Sequence, residues 1–151
     1  GYFQSIDSPE NTAFLKDWRQ FLDDDLRVAN DPIEAHYIAF NMWVEAVQTV
    51  GSTDVDKVID AMIGIRVSNL SGGIAEMQPN HHISRPAMIG EISNNGQFRI
   101  VWRSDGLLEA DPWSPFLEDS KDMISDWRPP LSCGAFNRKT LQCESIPGSP
   151  N

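Results

Sequence analysis

The sequence is poor in the residues that most often carry catalysis, metal binding or nucleic-acid binding. It has two cysteines and three histidines among 151 residues, and 12 Lys and Arg face 22 Asp and Glu. The formal net charge of −10 argues against nucleic-acid binding, because such binding needs a basic surface that displaces counterions from phosphate. No apolar run approaches the ~18 residues of a membrane-spanning helix. The composition therefore predicts one folded core with no nucleic-acid or membrane-spanning role.

Several common enzyme motifs are also missing. There is no G-x-S-x-G, no phosphate-binding P-loop and no H-E-x-x-H, which are typical of hydrolases, nucleotide-binding proteins and zinc peptidases. Ser71-Gly72-Gly73 lacks the strand–loop–helix context of a phosphate site, so we predict a turn there. No pair of residues is spaced as a general acid and base. An enzyme is therefore the least favoured class, and no cofactor is predicted.

The histidines and cysteines are the remaining candidates for metal ligands. His81 and His82 are adjacent, and adjacent side chains of an extended segment point to opposite faces, so we interpret them as a loop and predict no metal site. Cys133 and Cys143 have no second ligand pair at a zinc-binding spacing. A disulfide between them would stabilise the loop by roughly 2–3 kcal/mol and would be favoured in an oxidising compartment; two free thiols are the alternative.

Three helices are predicted in the first half of the chain. Ser8-Pro9 begins the first, because Ser can cap free amides and Pro suits the first helical position. Asn30-Asp31-Pro32 begins the second by the same logic. The body of the second helix, Ile33 to Val50, is apolar enough to be packed on more than one side. A short third helix is predicted from Asp54 to Ile63.

The second half has strand-like periodicity, and its clearest signal is a β-hairpin. Asn95-Gly96 tolerates the positive φ of a tight turn and separates the strands Ala87–Ile92 and Gln97–Trp102. The second strand alternates polar residues with Phe98, Ile100 and Trp102, which predicts one apolar face. Helices followed by such strands predict an α/β fold with mixed or antiparallel strands.

A change in composition divides the chain. Asp111-Pro112-Trp113-Ser114-Pro115 cannot continue a strand, because proline has no backbone donor, and the residues that follow are polar and rich in proline. We predict a folded domain over residues 1–117 and an extended C-terminal tail over residues 118–151. Because the chain begins with Gly1 and has no signal-peptide pattern, we expect a processed product, a fragment or a trimmed protein.

The start of the second helix groups four polar residues, Asp31, Glu34, His36 and Tyr37, of which Asp31, Glu34 and Tyr37 are the candidate ligand-binding residues. A helix N-terminus presents unpaired amides, and polar side chains around it can hold a neutral or zwitterionic ligand. The alternative is ordinary helix capping with the tyrosine packed in the core. Both interpretations remain open on the residues alone.

Short motifs that keep a fixed order cover about Tyr2 to Leu117: Tyr2–Asn11, Asp31–Ile38, Gly51–Asp56, Asn80–His82 with Arg85-Pro86, Ile89–Ile92, Gly96–Trp102 and Asp111–Pro115. The ordered set resembles the C-terminal part of ABC-transporter solute-binding proteins of the branched-chain amino acid type. Within that family it is most similar to the branch that binds urea and short-chain amides. The tail from Glu118 lies outside the resemblance.

The resemblance implies part of a type I periplasmic-binding-protein clamshell, in which two α/β lobes joined by crossover strands close on a small polar ligand. The implied ligand is urea, an amide or an amino acid, and the implied partners are an ABC permease and the missing N-terminal part of the receptor. The implied location is periplasmic or otherwise extracytoplasmic. Asp31, Glu34 and Tyr37 would lie near the cleft, and Tyr2 would belong to a crossover. The alternative is a structural or interaction subunit that reuses this fold in a larger assembly, with its tail as the docking peptide.

Overall fold

The computed structural model describes residues 1–122, 136–137 and 139–144. The chain divides into two compact units, Gly1–Ala110 and Asp111–Asn151, while the predicted domain boundary after residue 117 remains a prediction. Cys133 lies outside the described residues, so the proposed Cys133–Cys143 bridge also remains a prediction. The first unit contains α1 (Pro9–Leu22), α2 (Asp31–Val50), α3 (Val55–Met62), β1 (Arg66–Asn69), β2 (Gly73–Met77), β3 (Ile83–Ser84), β4 (Met88–Ile92) and β5 (Phe98–Arg103).

The three helices begin where the sequence predicts, and each start has a side-chain cap. The Ser8 hydroxyl accepts from the Asn11 amide at 3.1 Å. Asn30 accepts from the Ile33 amide at 3.1 Å, and Asp54 accepts from the Lys57 amide at 3.2 Å. These bonds satisfy amides that have no partner within the helix. The predicted caps Ser8 and Asn30 are therefore confirmed, whereas the third helix, for which the sequence suggests Ser52 or Thr53 as the cap, is capped by Asp54.

The strands form small antiparallel sheets. β1, β2 and β3 make a three-stranded sheet in that order, and β4 pairs with β5. In the part of the chain that the structure describes, every strand pairing is antiparallel. Of the two predicted arrangements, mixed and antiparallel, the antiparallel one is therefore observed. β3 has two residues, and the sequence analysis predicted no strand there.

The hairpin of β4 and β5 is confirmed, but its faces differ from the prediction. The register shifts between Ile89, which pairs with Trp102, and Gly90, which pairs with Ile100. This β-bulge adds one residue to β5 and reverses the alternation beyond it. Trp102 is consequently 50% exposed, whereas Arg103 donates to the Ser71 carbonyl oxygen at 2.9 Å. The predicted apolar face ends at Ile100.

One side of α2 is buried and the other is not. Ile38 and Met42 are fully buried against β1 and β2. On the opposite side Tyr37, Phe40 and Trp43 are 40%, 61% and 39% exposed. Because α2 also packs against α3 and Tyr37 contacts a ring of α1, the predicted packing on more than one side is met in part, and Phe40 and Trp43 are the exposed remainder.

The second unit has little regular structure among its described residues. A 3-10 turn spans Ser120–Asp122, and β6 (Phe136–Asn137) pairs antiparallel with β7 (Gln142–Cys143). Lys139 forms an ion pair with Asp119. None of the helices in the described part of the chain combines the length and apolar character needed to cross a membrane.

Candidate functional site

Arg85 joins two of the three predicted site residues. Its Nη1 donates to Glu34 Oε2 at 2.6 Å, and its Nη2 donates to Asp31 Oδ1 and Oδ2 at 3.0 and 2.9 Å. The Ser71 hydroxyl donates to Glu34 Oε1 at 3.2 Å. Residues three apart on a helix share a face, which explains why one guanidinium reaches both carboxylates. We call these four residues the Arg85 clasp.

Burial differs sharply among the charged members of the Arg85 clasp. The side chain of Glu34 is 1% exposed, that of Arg85 is 25% exposed and that of Asp31 is 44% exposed. Burial raises the pKa of Glu34 above its ordinary value, while Arg85 and the Ser71 hydroxyl act in the opposite direction. Glu34 therefore cannot touch a ligand in this conformation, and Asp31 can.

The N-terminal segment, residues 1–7, is fixed against the start of α1 and α2. The Tyr2 amide donates to Asp31 Oδ1 at 2.7 Å, and the Tyr2 hydroxyl donates to Asn11 Oδ1 at 2.6 Å. The Asn11 amide group donates in turn to the carbonyl oxygens of Gln4 and Ile6. Burial raises the pKa of Tyr2 far above its ordinary range. These bonds hold the segment in place beside Asp31.

Asp31 lies at the edge of a cavity of about 340 Å³ lined by residues 2–4, 28–31 and 96–98, which we call the Asp31 cavity. Two primary amides meet there, because Gln4 Nε2 donates to Gln97 Oε1 at 3.3 Å. Gln4 Oε1 accepts from the Ala29 amide at 3.1 Å. Phe3 and Phe98 pack with ring centroids 4.6 Å apart. The cavity thus combines one carboxylate with neutral hydrogen-bonding groups and an aromatic wall.

Tyr37 lies in a different place. Its ring is 4.9 Å from that of Phe14, which stacks on Trp18 at 6.0 Å. These rings line a groove of about 790 Å³ between α1, α2 and the first sheet, with Glu10, Asp17 and Glu45 also in its lining. The structure therefore brings Asp31 and Glu34 together but does not bring Tyr37 to them.

The main functional side chain that the sequence analysis did not single out is Arg85, which is 51 positions from Glu34. A local signal did exist. Asp31 and Glu34 place two carboxylates on one face of an otherwise apolar helix, and such a pair needs a cation when it is buried. No spacing rule says which cation of the chain supplies the charge.

The two adjacent histidines form a tight turn, which confirms the predicted loop. The His81 amide donates to the Gln78 carbonyl oxygen at 2.9 Å, and His81 has a φ of 60°. The His82 ring Nδ1 contacts the Asn80 carbonyl oxygen at 3.1 Å. Over residues 1–122, 136–137 and 139–144, no three His, Cys, Asp or Glu side chains cluster as metal ligands would.

Comparison with known proteins identifies the class to which this fold belongs. The periplasmic binding protein domain family matches residues 1–119, and the chain belongs to that family. One curated relative, limonene hydroxylase of Geobacillus stearothermophilus, is 34% identical over 111 residues. The match covers 74% of this chain and 20% of that protein, so the chain spans about one fifth of its relative's length. The expected solute-binding class and partial periplasmic-binding-protein fold are thereby confirmed.

Proposed function

We propose that this chain is part of an extracytoplasmic solute-binding protein that delivers a small polar ligand to an ABC permease. Family membership supports the binding role, since periplasmic binding proteins generally bind solutes without chemical conversion. The structural observation that carries the proposal is Asp31, a half-exposed carboxylate that lines a small, mostly apolar cavity beside two primary amides. Urea or a short-chain amide is the proposed ligand, and a branched-chain amino acid is the alternative.

The three predicted site residues take separate parts in this proposal. Asp31 contacts the ligand directly, and Glu34 acts through Arg85 because it is buried. Tyr37 lies in the aromatic groove. In this proposal its ring contacts the ligand only when further protein closes over α2. The activity named for the Geobacillus relative is not carried over, because the match covers only 20% of that protein.

Isothermal titration calorimetry on the 151-residue chain tests the binding role. Urea, acetamide, leucine and isoleucine are titrated separately, and saturable heat with at least one of them is expected. Sucrose serves as a polar control outside the proposed ligand class. Absence of saturable heat with all four ligands would remove the transport role for this chain.

The exposed side of α2 supports a second candidate, a subunit that binds another protein surface. Phe40 and Trp43 stack with centroids 5.8 Å apart while 61% and 39% exposed. Surfaces of this kind mark interaction sites, and in a receptor they suit the remaining part of the clamshell.

Sedimentation velocity separates these roles. A receptor fragment is expected to stay monomeric. In a separate measurement, a hydrophobic dye should bind at α2 in the wild type and should no longer bind in the Phe40→Ser, Trp43→Ser double variant. Stable self-association that the same double variant abolishes would instead favour the assembly subunit. Lys57→Ser, an exposed substitution on α3, is the matched control.

A further inference from the structure

We propose that the aromatic groove, which lies between α1, α2 and the first sheet, is a docking site for an extended, basic segment of another protein that pairs with the free edge of β1. The groove shares no lining residue with the Asp31 cavity. The inference goes beyond the binding of a small solute, because the site recognises a polypeptide. An open strand edge and a set of carboxylates without cationic partners carry it.

β1 is an edge strand, because the first sheet has the order β1-β2-β3. Its side chains alternate between the two faces of the sheet. Val67 is buried towards α2, whereas Arg66 and Ser68 are exposed on the other face, and all three residues line the groove. A cavity that reaches both faces of an edge strand runs along its open edge. Among the described residues, no strand pairs with β1 on that side.

The backbone groups of Arg66 and Ser68 face this open edge. The Met77 amide of β2 donates to the Ile65 carbonyl oxygen at 3.0 Å, and bonded pairs alternate along an antiparallel ladder. Val67, two positions after Ile65, therefore directs its N–H and C=O towards β2, whereas the N–H and C=O of Arg66 and Ser68 point into the groove. An extended segment can bond to these groups, as peptides do when they add a strand to a sheet edge.

The charges that line the groove favour a basic segment. Glu10, Asp17 and Glu45 line it, and in the part of the chain covered by the structure none of the three forms an ion pair. Arg66 is the cation of this lining, and it pairs with Glu76 of β2 at 3.6 Å. The three carboxylates therefore leave uncompensated negative charge in the groove, which attracts Lys and Arg side chains.

The groove also has the length and the apolar surface that such a segment needs. Its lining on α1 runs from Glu10 to Phe21, which corresponds to about 17 Å of helix and to about five extended residues. Phe14, Trp18 and Phe21 lie along this wall, and Phe21 is 84% exposed. Aromatic rings pack on the aliphatic stems of Lys and Arg and attract their charges. A segment that alternates basic and apolar residues fits these features.

Fluorescence anisotropy with two labelled peptides tests the docking site on the full 151-residue chain. One short peptide alternates Lys with Val, and the other has Glu in place of each Lys; saturable binding of the Lys peptide alone is expected. The Asp17→Asn, Glu45→Gln double variant should weaken binding about fivefold, because two charge pairs at the rim are lost. The Asp56→Asn, Asp60→Asn double variant on α3 makes the same change in net charge outside the groove and should leave the affinity unchanged.

Amide hydrogen exchange tests whether the segment pairs with β1. The Lys peptide is expected to slow exchange at the amides of Arg66 and Ser68, which face the groove, and to leave the amide of Val67, which faces β2, unchanged. Two further Lys peptides are methylated on alternate backbone nitrogens, one on the Lys and one on the Val residues. Because only every second residue of an added strand bonds to the edge, one methylated peptide should lose binding and the other should keep it.

Each result supports or overturns the proposal, and failure leaves the proposed solute binding standing. Absence of saturable binding of the Lys peptide overturns the docking site, and equal affinity for the Glu peptide overturns the basic partner. Equal effects of the two methylated peptides, or unchanged exchange at Arg66 and Ser68, overturn the strand pairing. Binding that requires a dimer of the chain to dissociate would make a second copy the occupant. Loss of binding in the Phe40→Ser, Trp43→Ser double variant would place the peptide on the exposed side of α2 and overturn the proposal.

Discussion

Arg85 donates to Glu34 at 2.6 Å, and the Glu34 side chain is 1% exposed, so a buried carboxylate depends on a cation from a distant part of the chain. The pair links α2 to the segment between β3 and β4. Removing one member of such a pair costs more than the pair contributes, because the remaining charge stays buried.

Arg85→Met is therefore expected to lower the free energy of unfolding by about 3 kcal/mol. Arg99→Met is the matched control, because Arg99 pairs with Glu91 while their side chains are 67% and 60% exposed, and exposed pairs contribute below about 1 kcal/mol. Urea denaturation followed by tryptophan fluorescence measures both. Equal losses in the two variants would show that the Arg85 clasp has no special place in the fold.

The pH dependence of stability should contain a contribution from Glu34. Its pKa is raised by burial, so the folded state keeps the proton at pH values where the unfolded state has lost it. The contribution is full below the unfolded pKa and is lost as the pH rises through the folded pKa. In the Glu34→Gln variant, this fall in the free energy of unfolding at pH values above the ordinary carboxyl pKa should be absent.

Unfolding of the wild type and of Glu34→Gln at a series of pH values measures the difference. Asp31 of α2 and Arg85 face the same carboxyl group, so the same comparison is repeated in the Asp31→Asn background. If the free energy of unfolding of the wild type, minus that of Glu34→Gln, rose with pH, the raised pKa would be contradicted.

Tyr2 gives a prediction at high pH. Burial raises its pKa, and its hydroxyl donates to the buried Asn11, so Tyr2 should remain protonated when a free tyrosine has ionised. Tyr37→Phe leaves Tyr2 as the sole tyrosine, and its ultraviolet titration should show ionisation only when the chain unfolds. Reversible ionisation near pH 10 in a folded chain would contradict this prediction.

Local signals account for much of the fold but little of the site. The helix starts at Ser8, Asn30 and Asp54 depend on hydrogen bonds to residues three positions away. The hairpin depends on Gly96, which has a φ of 75° in the turn. These contacts can be read from adjacent letters of the sequence. They follow the same backbone chemistry in every protein.

Long-range contacts explain what the sequence analysis missed. The Arg85 clasp joins Arg85 to Glu34 and Asp31, which are 51 and 54 positions away. The residues next to Arg85 in the sequence do not indicate these partners. The bulge beside Gly90 reverses the alternation of β5, and no pattern within the hairpin specifies it. The sequence placed Asp31 and Glu34 on one helix face but not the cation that they share.

Gly90 supplies the last prediction, because a side chain at this position has no room. A Cβ atom there would lie 2.9 Å from Cζ of Phe3 and 3.1 Å from Cβ of Phe98, and both rings line the wall of the Asp31 cavity. Gly90→Ala is expected to cost about 1–3 kcal/mol of unfolding free energy. Gly106→Ala is the control, since a Cβ there meets nothing within 4 Å.

The clash can be assigned by a double-mutant cycle. Phe3→Leu alone should destabilise the chain by removing the ring contact, but in the Gly90→Ala background it should cost less, because it also relieves the clash. Chemical denaturation of the four proteins gives the coupling. Strict additivity would mean that Gly90 is required by the backbone at the bulge and not by its approach to Phe3.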